Sequence, residues 1–127
     1  MDANLVLSIL QALLALAFLV VGVGHILNYD QMATQPRTSW VAAVGRDRLR
    51  TIGVLEVLGA IGTVLPAITG VLPWLVPIAA ASLALLMVFA AAFHLRRPGE
   101  LPNIVLNVLL GVLALAVAIG RFAVDPS

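Results

Sequence analysis

The sequence predicts an all-α, integral membrane four-helix bundle with a short interfacial helix between helices 1 and 2. Three observations carry that prediction. Of 127 residues, 62% are hydrophobic and 10% charged, and the mean hydropathy is +1.13; a soluble domain carries about 25% charged residues to face water. Four apolar stretches, residues 5–27, 51–69, 74–95 and 104–122, reach the length of about 20 residues that a bilayer-crossing helix needs. Six of the seven arginines fall in two of the connections between them, the asymmetry expected of a multi-pass protein. The chain therefore reads as one transmembrane domain, residues 1–127. A soluble enzyme and a disordered tail are excluded, and a net charge of +1 gives nucleic acid no electrostatic footprint. With no cysteine and no lysine, thiolate metal sites, iron–sulfur clusters and Schiff-base chemistry have no residue to use.

The first span has no basic residue before it and an apolar core longer than that of a cleavable signal peptide, so it is expected to be retained. The long connection, residues 30–50, is not purely polar. Trp40, Val41 and Val44 share an apolar face, Thr38 or Ser39 is placed to cap it, and Gly45 closes it. It is expected to lie as an interfacial helix under the bundle, its arginines among head groups. The connection Gly70-Val71-Leu72-Pro73 makes spans 2 and 3 an antiparallel hairpin. Trp40 and Trp74 suit the two aromatic belts. The third connection carries Arg96 and Arg97. The arginine bias predicts that connections 1 and 3 face the cytoplasm and both termini the exterior.

Because consecutive spans alternate in direction, His25, Asn28, Tyr29, Glu56, His94, Asn103 and Asn107 converge at the same end of the bundle. Helical spacing sharpens this. Ser8, Gln11, Ala15, Phe18, Gly22, His25 and Tyr29 form one small-and-polar seam on span 1. Gly53, Glu56, Ala60 and Thr63 form another on span 2, Met87, Ala91 and His94 a third, and Asn103, Asn107, Gly111, Ala114 and Ala118 a fourth. Such seams face neighbouring helices, and close packing accounts for their glycines.

Glu56 is the sharpest single residue. At about 1.5 Å per residue it lies about 9 Å along the helix from Arg50, below the head groups. A carboxyl at that depth costs on the order of 3 kcal/mol and faces a cavity or a partner. Either it exchanges a proton, with His25 as the second catalytic candidate, or it is a structural carboxyl bonded to His25 or Asn107. Tyr29, Asn107, Asn103 and His94 are the expected substrate-binding groups. Paired histidines as axial haem ligands, or with Glu56 as a metal site, lack any local ligand motif. Haem and metal are not expected. His25 followed by Asp30, and His94 followed by Glu100, form a faint internal echo.

Residues 18–25 (FLVVGVGH), 50–62 (RTIGVLEVLGAIG), 93–100 (FHLRRPGE) and 103–107 (NIVLN) resemble the DoxX-like family over nearly the whole chain. The G-x-x-E-x-x-G run at residues 53–59 is the most specific part. Members commonly carry Lys near the position of His25, where this chain departs. The resemblance implies a small four-helix protein of the bacterial inner membrane, in a family named for a subunit associated with quinone-linked thiosulfate oxidation. The expected role is an accessory subunit of a membrane oxidoreductase system. It would bind a quinone or other small lipophilic molecule in a polar pocket capped by the loop helix, with no cofactor of its own and a redox partner protein supplying electrons. The rivals are a cofactor-free membrane isomerase or hydrolase using Glu56 and His25, and a non-catalytic assembly or lipid-binding protein. Transport ranks below these. The bilayer is an expected partner, and a homo-oligomer is a further expectation.

Overall fold

A computed structural model of the chain describes residues 2–124, and among these there is no strand. Helix α1 (Ala3–Leu27) starts where the Asp2 carboxylate accepts a 2.7 Å hydrogen bond from the Leu5 N–H, a standard N-cap. The long connection folds into α2 (Tyr29–Ala33) and α3 (Val41–Val44). Helix α4 (Arg46–Thr69) leads through a short turn to α5 (Leu75–Leu95). Helix α6 (Leu101–Ile119) ends in a π-helical turn, Gly120–Val124. Four of these are long and apolar enough to cross a membrane: α1, α4, α5, and α6 with its π turn. Their outward faces carry residues such as Val20, Leu58, Val88 and Leu109, all more than half exposed, as expected of surfaces that meet lipid rather than water. This is a multi-pass membrane protein.

Two boundaries differ from the sequence expectation, for local reasons. Helix α4 begins at Arg46 rather than residue 51 because Gly45 takes φ +95° and breaks the chain there. Few residues other than glycine adopt that conformation. Helix α6 begins at Leu101 because Pro102 sits in its first turn, where a missing N–H costs nothing. The loop helix is present, but neither Thr38 nor Ser39 caps it. Trp40 at the cap position is already helical, and no side chain caps there. The two hydroxyls donate instead to the carbonyls of Met32 and Pro36. Val41 is fully buried beneath the bundle.

The four spans form two tight pairs, α1 with α4 and α5 with α6, joined across α4 and α5. The seams read from the sequence are the inward faces: Gly53, Glu56, Ala60 and Thr63 on α4 are all buried, as are Gln11, Phe18 and Gly22 on α1. The apolar core of Leu14, Phe18, Ala60, Leu83, Ala114 and Val117 fills the half of the bundle nearer the termini, here called the far end. The other half, the loop end, lies under α3 and holds the polar groups.

Candidate functional site

The site is built on a backbone contact between α1 and α4. A Cβ placed on Gly22 would stand 2.8 Å from the Gly53 carbonyl oxygen, and one on Gly53 would stand 2.6 Å from the Gly22 oxygen. Only paired glycines permit so close an approach. One turn further along α1 stands His25, and one turn along α4 stands Glu56. Their side chains meet across the crossing, with His25 Nδ1 2.6 Å from Glu56 Oε1. Glu56 is 1% exposed and His25 half-buried. With Nδ1 engaged by a carboxylate, the imidazole is fixed in orientation and Nε2 is its remaining exchangeable nitrogen.

A second histidine–carboxylate pair lies across from the first. His94, buried on α5, has Nδ1 2.9 Å from Glu100 Oε1. The other Glu100 oxygen accepts from Arg97 Nε, and Asn103 Nδ2 donates to Oε1 at 3.3 Å. Burial pushes the Glu100 pKa up, but the hydrogen bonds from His94 and Arg97 and their charges outweigh it. The carboxyl is held below its ordinary value. Asn103 Nδ2 also donates to the Arg37 carbonyl at 3.2 Å, tying α6 to the long loop.

Trp40 sits between the two pairs. Its ring centroid lies 5.8 Å from that of His25 and 4.8 Å from that of His94, both edge-on, and 6.2 Å from Phe93. The aromatic residue assigned to an interfacial belt is thus part of a lid. Beneath it lies a cavity of about 360 Å³ whose walls include His25, Glu56, His94, Asn103 and Asn107, a volume within the range of small-molecule sites. Asn107 Nδ2 is buried there without a hydrogen-bond partner among the described residues. An unmatched donor in such a place is costly and fits a ligand oxygen.

Five of the six residues singled out in the sequence line this one cavity; Tyr29 does not. It stands on α2 beneath the Arg46 guanidinium, 4.6 Å from its ring centre. Arg46 also bonds Asp30, and that hydrogen bond holds the Asp30 carboxyl below its usual range. The internal echo is therefore half real: His94 does pair with Glu100, whereas His25 turns away from Asp30 to Glu56. Among the described residues no group of three or more His, Cys, Asp or Glu side chains is arranged to hold a metal.

Sequence reasoning missed a polar cluster at the far end. Arg121, 4% exposed, donates through Nε to Gln11 Oε1, through Nη1 to Asn4 Oδ1 at 2.9 Å and through Nη2 to Ser8 Oγ at 3.0 Å. Gln11 Nε2 in turn donates to the Thr63 carbonyl at 2.8 Å. Ser8 and Gln11 on one seam, with a lone arginine at the matching depth of span 4, were the available signal. The cluster closes the end opposite the cavity.

No curated protein and no solved structure matches the chain. The DoxX-like family matches residues 9–117, a stretch that takes in the glycine crossing, both histidine–carboxylate pairs and the cavity between them, and the chain belongs to that family.

Proposed function

We propose that the cavity binds a small lipophilic molecule bearing a carbonyl or hydroxyl oxygen, a quinone being the class that fits best, and that the protein serves as an accessory subunit of a membrane oxidoreductase system. The observation that carries this reading is the meeting, in one cavity, of a buried proton-exchanging pair and an unmatched amide donor. Asn107 Nδ2 supplies a hydrogen bond to the ligand's oxygen. His25, held at Nδ1 by Glu56, takes or gives the proton at Nε2, and the carboxylate stabilises the imidazolium formed when it takes one. A quinone supplies two-electron chemistry coupled to protons; the electrons come from a partner protein, since no residue of this chain is a redox centre. Trp40 covers the site and keeps it apart from water. In this reading the loop end faces the cytoplasm of a bacterial inner membrane, as the arginine bias requires.

The test uses Trp40 as its own reporter. In Trp74→Phe protein, the remaining tryptophan lines the cavity, and a bound quinone quenches it saturably. Asn107→Leu should weaken quinone binding about tenfold, the loss of one hydrogen bond to a buried donor. Glu56→Gln should retain binding and abolish its pH dependence. Unsaturable quenching in the parent protein, or binding indifferent to both substitutions, refutes the proposal.

A further inference from the structure

The cavity has a polar end and an apolar side, and the two point to different parts of one ligand. Its polar atoms come from His25, Glu56, His94, Asn103 and Asn107, all at the loop end beneath Trp40. Beyond them the wall turns apolar, through Val21 on α1 and Leu106 and Leu110 on α6. Leu106 belongs both to that wall and to the lipid-facing surface, where it is 47% exposed. It is also the neighbour of Asn107, whose side-chain amide nitrogen is unmatched inside.

The packing of α1 against α6 explains why the wall runs out here. At the far end the two helices meet closely: a Cβ on Gly120 would stand 2.3 Å from Leu7 Cδ2, and Arg121 reaches Gln11, Asn4 and Ser8. At the loop end the cavity lies between Val21 and Leu106. The pair is pinned at one end and parted at the other. Leu106 is five residues into α6, about 7.5 Å along its axis, at the depth of hydrocarbon rather than of head groups. A cavity of about 360 Å³ sits near the lower bound of ligand sites, with room for a head group and none for a long chain.

We propose that the cavity takes the head group of a single-chain amphiphile side-on from the bilayer, the chain leaving between α1 and α6 past Val21 and Leu106. This rests on the ligand-binding reading above and narrows it to a chain-bearing ligand with one exit. A water-borne solute would have to lift Trp40 off both histidines; a molecule dissolved in the membrane would not. The cavity's wall reaches exposed surface at two other places, Phe89 on α5 and Ala43 with Arg48 at the loop end, and these are the rival exits.

The absence of cysteine permits a test on folded protein. Single-cysteine variants Leu106→Cys, Phe89→Cys and Ala43→Cys are reconstituted in nanodiscs and their quinone affinities measured before and after reaction with N-benzylmaleimide. Two probes are used, a methyl-substituted and a decyl-substituted benzoquinone. The adduct at position 106 should weaken decylquinone about tenfold or more and leave methylquinone within about twofold. Adducts at positions 89 and 43 should leave both probes unchanged. Loss of decylquinone at position 89 or 43 with none at 106 assigns another exit and overturns the proposal. So does equal loss of both probes at 106, which marks a general distortion of the site. If methylquinone binds and no adduct discriminates the chain, the side exit fails while the binding site stands. If neither quinone binds the unmodified variants, the binding reading fails and the exit with it.

Discussion

Gly53→Ala tests the link between backbone packing and chemistry. The added methyl would stand 2.6 Å from the Gly22 carbonyl oxygen, about 0.8 Å short of the 3.4 Å at which ordinary contact begins, and 2.8 Å from Ile26 Cγ1. The obstruction is backbone on one side, so rotamer changes cannot relieve it, and α1 must move away from α4. The hydrogen bond between His25 and Glu56 spans 2.6 Å. Opening the crossing by about 0.8 Å takes that bond to the edge of hydrogen-bond range. Overpacking a helix interface costs about 1–3 kcal/mol, and leaving a buried polar group unsatisfied costs about 1–3 kcal/mol more. A total of about 2–5 kcal/mol follows, together with loss of the pH dependence of ligand binding. Unfolding in mixed micelles by titration with a denaturing detergent measures the first, and Trp40 quenching across pH the second. Gly24→Ala is the control, since its Cβ would meet nothing closer than 4.0 Å; it should be neutral or slightly stabilising. A Gly53→Ala protein within about 0.5 kcal/mol of the parent, the size of an ordinary surface change, would refute the argument.

Three further outcomes are expected. Glu100 has a folded pKa below its model value of 4.5, so its contribution to stability is present above about pH 4.5 and is lost as pH falls through the folded value. Thermal unfolding of Glu100→Gln should therefore be inferior to the parent near neutrality and converge with it in acid; a constant gap across that range counts against the assignment. Arg121→Met strands the polar groups of Gln11, Asn4 and Ser8 and should destabilise the protein by about 2 kcal/mol or more, with quinone affinity unchanged because the cluster lies at the end opposite the cavity. Single cysteines introduced at Gln35 and Leu72 should react with an impermeant maleimide from opposite sides of the membrane, position 35 from the cytoplasm; the reverse pattern would invert the proposed orientation.

The fold was legible because hydrophobicity and helical periodicity both act locally. A run of apolar residues sets a span, and a three-and-four spacing of small and polar residues sets its inward face, so Glu56, Gly53 and Thr63 could be placed together from span 2 alone. Convergence of His25, Glu56 and His94 at one end followed from alternating direction. What the sequence left open was pairing. Glu56 had two candidate partners, His25 and Asn107, and only the 2.6 Å contact separates them. Trp40 read as a belt residue because belts depend on depth, whereas its role depends on two rings from α1 and α5. Arg121 read as the exception to a charge bias. Its partners on α1 lie more than a hundred residues away in sequence, beyond the reach of any local pattern. Tyr29 was placed by extending the α1 seam, but α1 stops at Leu27 and the chain bends at Asn28 before Tyr29 begins α2.

The Arg121 cluster gives the bundle a mechanical asymmetry. Hydrogen bonds from one guanidinium clamp α6 to α1, Gln11 passes the link on to α4, and Leu83 packs into Gly59 to hold α5 there as well. The spans are fastened at one end like the jaws of a clothes-peg. At the opposite end the jaws close on a cavity, a tryptophan and a four-residue helix joined to α4 through Gly45. Thermal motion and ligands of different bulk are then absorbed by the jaws spreading, with little change at the hinge. Head-group size would be tuned by residues at the loop end, and the stiffness with which the site resists enlargement would be tuned from the other side of the membrane, by Arg121 and its partners.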